Sequence, residues 1–423
     1  MKLHRGQLNA LKSLVSTIRI TKGALPTLAS VEAFCEFEEQ IIKAPPWKGM
    51  IGETDFGMIV WRTIYRTVNS VPENYEGMLS ELKNGLFSDE IVDKLKARLE
   101  SLPGKYDIFI PMGSIQELHC GEIAITETIA IIDTLHNAEA NRLTSHRTST
   151  LYRTLETSPE NSTTSIRYLR ISGSGYGDSS PQSPVVRHAW SIAKQLIFIG
   201  MASAAFAPNT NQHWFRSEVS LLNKFPTLVV SRGGIEEIFT TSPGFEFSHL
   251  LHNISFRHFK FRDFSKGPTI LSSEERDATT GAEIQLAVTS LMATAAAFLK
   301  VESLDAAPIR AAMEWFIDAD AAQNETIAFL QRCIGLEALL GSNESKRDVT
   351  ERLADRYSYV VANTASNRNT HRAKFVEMYK YRSEIVHGRS TRLSDEHRRA
   401  NREAREMLLQ ATWREMRNIL KQT

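Results

Sequence analysis

The sequence predicts an α+β protein in which an N-terminal mixed α/β region precedes a C-terminal antiparallel helical bundle. Three observations carry this. The runs YDIFIPM at 106–112, EIAITETIAIIDT at 122–134 and SIRYLRISGSG at 165–175 alternate, or concentrate β-branched residues, as strands do. From Gly281 onward the apolar positions recur at offsets of three and four, which is the period of a helix. The links between those helical runs are short, and short links favour antiparallel neighbours. At 423 residues the chain exceeds one ordinary core. The division expected is a mixed region at 1–278, a connecting helix at 279–305 and the bundle at 306–423.

Taken in order, the first hundred residues mix helical patterns with loops, including an APPW turn at 44–47 and a helix from Asp89 to Leu102 that Pro103-Gly104 ends. The three strand runs follow. SGSGYGDSSPQSP at 172–184 reads as a loop by composition, and VVRHAWSIAKQLIFIGMASAAF after it reads as a buried helix. Irregular α/β sequence continues to about residue 275 and includes ISFRHFKFRDF, whose aromatic and basic residues alternate like a half-exposed strand. The bundle then comprises AEIQLAVTSLMATAAAFLKV, PIRAAMEWFIDADAAQNETIAFLQRCIGLEALLG, helices from about Arg347 to Val361 and His371 to His387, and a last helix from Ser394 to Leu420. Ser394 suits the N-cap of that last helix, with Asp395 and Glu396 complementing its dipole. His397 stands where a capping box wants glutamate or glutamine, so the box reads as incomplete. Ile327, Leu330, Ile334 and Ala338 share a helix face with Glu337; Val349, Leu353, Tyr357 and Val360 share another with Arg356.

Composition narrows the function classes. Apolar content of 42% with 23% charged residues is that of a soluble globular chain. Three widely spaced cysteines, Cys35, Cys120 and Cys333, form no CxxC pair, which argues against a disulfide framework or structural zinc. The longest strongly apolar run, LIFIGMASAAF at 196–206, is too short to span a bilayer, and MKLHRGQLNALKSLVSTIRITK has no sustained apolar region. A cytoplasmic protein without a membrane partner is expected. The net charge of +1 is uneven, because residues 345–423 carry 18 Lys plus Arg against 10 Asp plus Glu, leaving 32 against 39 before them. The basic C-terminal region is therefore the surface expected to meet a polyanion, unless Arg398, Arg399, Arg402 and Arg405 only solvate a helix face.

Two weaker motifs are set aside. Gly173, Gly175 and Gly177 lack the spacing of a dinucleotide fingerprint, and His249, His252 and His258 lack a nearby carboxylate pattern for metal. Neither a cofactor nor a metal is expected.

The most informative segment is FVEMYKYRSEIVHG. Phe375, Met378, Tyr379, Ile385 and Val386 fall on one helical stripe with Arg382 in its middle, and His387 closes the last turn before Gly388, where a left-handed cap is expected. An arginine and a histidine at a helix end suit anion binding or phosphoryl chemistry. Three charges, Glu337, Arg356 and Arg382, thus lie on stripes expected to face the core. A buried charge needs a partner, so Glu337 is expected to pair with Arg356 or Arg382 unless they reach a wet cleft.

Together with GLEALLG and RLADRY, the segment YRSEIVHG resembles the HEPN domains, in particular their Apea-like branch, over roughly the last 120 residues. The resemblance implies a four-helix bundle and a metal-independent endoribonuclease, in antiviral defence or a toxin system. It implies a composite site across a homodimer formed by the C-terminal bundle. Arg382 and His387 would be catalytic, the arginine holding the phosphate and the histidine moving protons as a ribose 2′-hydroxyl attacks the neighbouring phosphorus. Tyr381 and Arg389 flank the pair and suit RNA binding, with Glu337, Arg356 and Ser383 in support. Ser383 stands where many catalytic members carry Asn, Asp or His. The alternative is a non-catalytic HEPN module that binds a nucleotide or RNA, or only dimerises. The N-terminal region is then expected to sense or recruit, with a protein or phage-derived trigger as its partner.

Overall fold

The computed structural model describes residues 2–44, 47–48, 51–68, 72, 74–112, 122–133, 136–138, 167–175, 183–203, 206–208, 227–232, 235–241, 244–256, 259–260, 269–270, 281–341, 348–388 and 393–422. The chain is α+β. It begins with α1 (Arg5–Thr17), β1 (Arg19–Ile20), α2 (Glu32–Ile42), α3 (Glu53–Thr67), β2 (Gly77–Met78) and α4 (Leu86–Glu100). Strands β3 (Gly104–Met112), β4 (Glu122–Ala124), β5 (Ile129–Asp133) and β6 (Arg167–Gly175) come next. Then follow α5 (Pro184–Ala202), β7 (Phe206–Pro208), β8 (Thr227–Arg232), β9 (Ile235–Thr240), α6 (Phe245–Asn253), β10 (Ile254–Phe256), β11 (Phe259–Lys260) and β12 (Thr269–Ile270). The remaining helices are α7 (Gly281–Leu299), α8 (Ala306–Ala321), α9 (Glu325–Leu340), α10 (Val349–Val361), α11 (Ala365–Val386) and α12 (Asp395–Gln422).

A six-stranded sheet has the order β4-β5-β6-β3-β8-β9. The expected strand at 122–134 is a hairpin: Glu122 pairs with Ile132 and Ala124 with Ala130, and Ile125 N–H donates to Ile129 O at 2.8 Å across the turn. The polar TET inside the run is where the chain reverses. β3 runs antiparallel to β8 with Tyr106 opposite Val230, and β8 antiparallel to β9 with Val229 opposite Ile238. The expected loop at 172–184 begins as strand, since β6 extends to Gly175. A Cβ on Gly173 would sit 2.6 Å from the Tyr106 hydroxyl oxygen, so the glycine serves close packing there. The ISFRHFKFRDF segment contributes β10 and β11, and the rest of it lies outside the described residues.

Two compact units are present, one of Met1–Phe109, Arg170–Ala189 and Pro226–Ser242, the other of Ile110–Leu169, Trp190–Phe225 and Pro243–Thr423. In the first, α1 to α4 enclose a core that includes Leu11, Leu14, Phe37, Phe56, Ile64 and Leu95. His4 and Gln7 form a reciprocal capping box that starts α1.

In the second unit, α8 to α12 are the predicted run of helices. The second half of α5 docks on α8, where Phe198 meets Phe316 edge-on at 5.2 Å and Lys194 pairs with Asp318 at 2.7 Å. α11 starts six residues earlier than the apolar period indicates, because Thr364 accepts the Asn367 N–H at 3.3 Å and caps a first turn, Ala365 to Arg368, that has no large apolar residue. The α12 capping box is also present, through His397. The Ser394 N–H lies 3.4 Å from His397 Nδ1 and the His397 N–H 3.5 Å from Ser394 Oγ, so an imidazole takes the place of the usual carboxylate or amide.

Two helix faces differ from expectation. α9 buries Ala328, Phe329, Cys333, Leu336 and Leu340, and leaves Ile327 50% and Ile334 36% exposed. α10 buries Leu353, Ala354, Tyr357, Ser358 and Val361, with Val349 and Arg356 exposed. α9 is apolar around more than one stripe, and packing selects the stripe next to the one chosen by period alone, whereas on α10 the expected Leu353 and Tyr357 are buried and Ala354, Ser358 and Val361 complete that face.

Candidate functional site

The site is built on α11. Phe375, Met378 and Tyr379 are buried as predicted, and Phe375 packs tilted against Tyr357 at 5.4 Å and stacks on Tyr379 at 6.0 Å. One turn past Met378 the guanidinium of Arg382 reaches the edge of the core. Its Nη2 pairs with Glu337 Oε1 at 3.0 Å, the side chains being 25% and 31% exposed, and it stands 5.4 Å from the centroid of the Tyr379 ring. The Tyr379 hydroxyl donates to the same carboxylate oxygen at 2.8 Å. Burial, and then the bond to Glu337, push this hydroxyl far above its ordinary range, so it remains a donor at any working pH. Glu337 is thus held by two donors from α11, and the arginine is fixed by a carboxylate and an aromatic face.

His387 ends the helix. Its N–H donates to Ser383 O and that of Gly388 to Ile385 O, both at 3.0 Å, and Gly388 takes φ +69°, the left-handed cap predicted for it. The His387 ring is exposed. From Arg382 it lies five residues on, a rotation of roughly 140° and a rise of about 7.5 Å, so the two groups face different directions from one helix end. Ile385 is half-buried and Val386 49% exposed, which takes the end of the predicted stripe out of the core.

The supporting residues divide. Of the two partners expected for Glu337, Arg382 is the one it meets; Arg356 instead donates to the Leu340 carbonyl at 2.7 Å and satisfies the C-terminal end of α9. Arg356 also lines a groove of about 500 Å³ with Leu339, Tyr359 and Glu415. Ser383 is half-buried and supplies the carbonyl that holds the cap. Tyr381 packs edge-on against the His397 ring at 5.0 Å, so one side of its ring is already covered. Arg389 lies outside the described residues.

No family model, curated protein or solved structure matches the chain. The site therefore rests on its own geometry.

Two polar clusters beside it escaped the sequence reading. His397, buried at the start of α12, brings Nε2 to 3.6 Å from Glu384 Oε2 in the last turn of α11 while its Nδ1 serves the cap. At the other cluster Asp320, almost fully buried, binds Arg332 Nη2 at 2.9 Å and Arg405 Nη2 at 2.6 Å, while Arg332 Nη1 contacts Asn401. Burial lowers the Arg332 pKa and Asp320 opposes that shift. Arg405 is therefore a structural partner and not part of a solvated face, and Arg398 and Arg399 are paired with Glu325 and Glu403 at 3.1 and 3.0 Å. The buried Cys333 thiol, pushed up by burial, is unsuited to act as a nucleophile. Among the described residues, no group of three or more His, Cys, Asp or Glu side chains is arranged to hold a metal ion, and no helix is long and apolar enough to cross a membrane.

Proposed function

We propose that residues 306–423 form a metal-independent endoribonuclease of HEPN type, serving antiviral defence or a toxin system in the cytoplasm. The observation that carries this reading is the pairing, on one helix end, of an arginine fixed by Glu337 and Tyr379 with an exposed histidine five residues later. A guanidinium has five N–H donors, and Glu337 accepts at Nη2, so the fork has capacity for a phosphate as well. In the proposed reaction a ribose 2′-hydroxyl gives up its proton and attacks the adjacent phosphorus. The 5′-oxygen leaves with a proton, and a 2′,3′-cyclic phosphate remains. His387 moves protons and Arg382 offsets the charge that grows on the phosphoryl oxygens.

The reading includes a composite site across a homodimer, which removes the difficulty that Arg382 and His387 diverge on one helix. The exposure of Ile327 and Ile334 on α9 supports a second copy covering that face. Light scattering at micromolar concentration is expected to give twice 47.6 kDa, and a strictly monomeric mass contradicts the dimer.

A second reading has one observation in its favour: the Arg382 charge is already offset by Glu337, as in an internal pin that fixes helix register. In that case the bundle binds RNA or a nucleotide, or only dimerises. Incubation of the purified protein with labelled total RNA separates the two. Cleavage that persists in EDTA is expected of the nuclease, and intact RNA in both conditions leaves the binding module.

A further inference from the structure

We propose that His371, Lys374 and Arg414, where α10, α11 and α12 meet, form a station for the backbone phosphates of single-stranded RNA. The inference rests on the reading of the bundle as a module that takes RNA, and adds a contact apart from Arg382. The His371 ring is half-buried and packs edge-on against Tyr357 of α10 at 5.9 Å. Arg414 of α12 is exposed, and its Nη1 donates to the Val360 carbonyl at 3.2 Å near the end of α10. A guanidinium has five donors, so this bond leaves capacity for a ligand. Lys374 is exposed one turn past His371 on the same helix. Burial, then Lys374, then Arg414 lower the His371 pKa. Both cations thus act on one imidazole, which is neutral at pH 7.

The lack of a counter-charge points to the occupant. Other arginines of α11 and α12 have carboxylates: Arg372 has Glu351 and Asp355, Arg398 has Glu325 and Arg399 has Glu403. Among the described residues, neither Lys374 nor Arg414 is paired with one. The acids beside them in sequence act elsewhere. Glu377, one turn past Lys374, acts on Arg399, while Glu415 lines the groove with Leu339 and accepts from Asn418 at 3.3 Å. Glu406, about two turns before Arg414 on α12, acts on Tyr357 and is a single charge against the cluster. Like charges gathered without a counter-charge repel, and a bound anion removes that cost. Two permanent charges and an imidazole able to take a proton exceed what one carboxylate offsets, whereas successive phosphates on a flexible strand bring one charge each. His371 precedes Arg382 by about 16 Å along α11, which separates the station from the candidate site.

The test uses the full-length protein and a fluorescein-labelled 2′-O-methyl oligouridine, which lacks the attacking hydroxyl and cannot be consumed by the proposed nuclease. Anisotropy is expected to show saturable binding that weakens with salt. Lys374→Gln/Arg414→Gln is expected to lose at least about tenfold in affinity and to lower the salt slope by about 1 to 2. Lys380→Gln takes the same charge from α11 outside the station and is expected to stay within about threefold of wild type. Histidine-selective NMR of the wild type gives a second readout that needs no variant: an anion beside His371 favours the charged imidazole, so the oligonucleotide raises the pH at which that ring titrates. Equal affinity of the double variant and wild type, an equal loss in Lys380→Gln, or an unmoved His371 titration overturns the proposal. Equal competition by a polyglutamate peptide of the same length overturns it too, and assigns the station to an acidic protein segment. Cleavage of an all-ribose strand is measured separately, so binding without cleavage sinks the nuclease and keeps the station, while cleavage with unchanged affinity of the double variant does the reverse.

Discussion

His387→Ala is expected to abolish RNA cleavage and leave the fold intact. The ring is exposed at the helix end, so its removal changes stability by no more than about 0.5 kcal/mol, whereas the proposed reaction loses its proton-transfer group. RNA affinity is expected to change little, because a neutral imidazole adds little to binding a polyanion. Arg382→Ala behaves differently. It removes the phosphate contact and also leaves Glu337 with the Tyr379 hydroxyl as its remaining α11 partner, so cleavage, affinity and stability fall together. Since both side chains are about a quarter to a third exposed, the stability cost is about 1–2 kcal/mol, below that of a truly buried pair. Side-by-side kinetics, anisotropy and thermal melts of the two variants check this. Full cleavage by both places the chemistry elsewhere, and an Arg382→Ala defect confined to stability supports the structural pin.

The largest stability effect is expected at Asp320, which the proposed chemistry does not use. Its carboxylate lies between Arg332 and Arg405 on two other helices, with Arg332 buried, and truncation leaves two guanidinium groups facing each other without an anion. A buried pair broken on one side costs about 3–5 kcal/mol, which for a domain of this size lowers the melting temperature by roughly 10 °C. Asp320→Asn keeps the hydrogen-bond acceptor and is expected to fall between. A melt of Asp320→Ala within about 2 °C of wild type contradicts the view that this triad fastens α8, α9 and α12.

Much of the α11 arrangement is legible in the sequence. Phe375, Met378 and Tyr379 repeat at helical offsets, Gly388 marks the end, and a charge set among them must find a partner, which limits Glu337 to very few. The choice between Arg356 and Arg382 depends on where α9 stops against α10, and that is tertiary information. The face of α9 misleads because Ile327 and Ile334 form as good a stripe as Phe329, Cys333 and Leu336 beside it, and periodicity cannot say which one packs. Arg332 gives a faint signal, a cation next to Phe329, Cys333 and Leu336, but its partners Asp320 and Arg405 lie on other helices. His397 escapes because capping rules name carboxylates and amides, although an imidazole nitrogen can do the same work. In the sheet, β-branched runs locate the strands, while the turn inside 122–134 depends on TET, three residues that also suit an exposed edge.

The central claim, attack by a ribose hydroxyl at a site made by Arg382 and His387, is tested most directly with a chimeric RNA that carries one 2′-deoxyribose at the mapped scissile position. The all-ribose strand is expected to be cut in EDTA, leaving 2′,3′-cyclic phosphate ends, and the chimera to stay intact at that position. Equal cleavage of the chimera, or cleavage that stops in EDTA, contradicts the account.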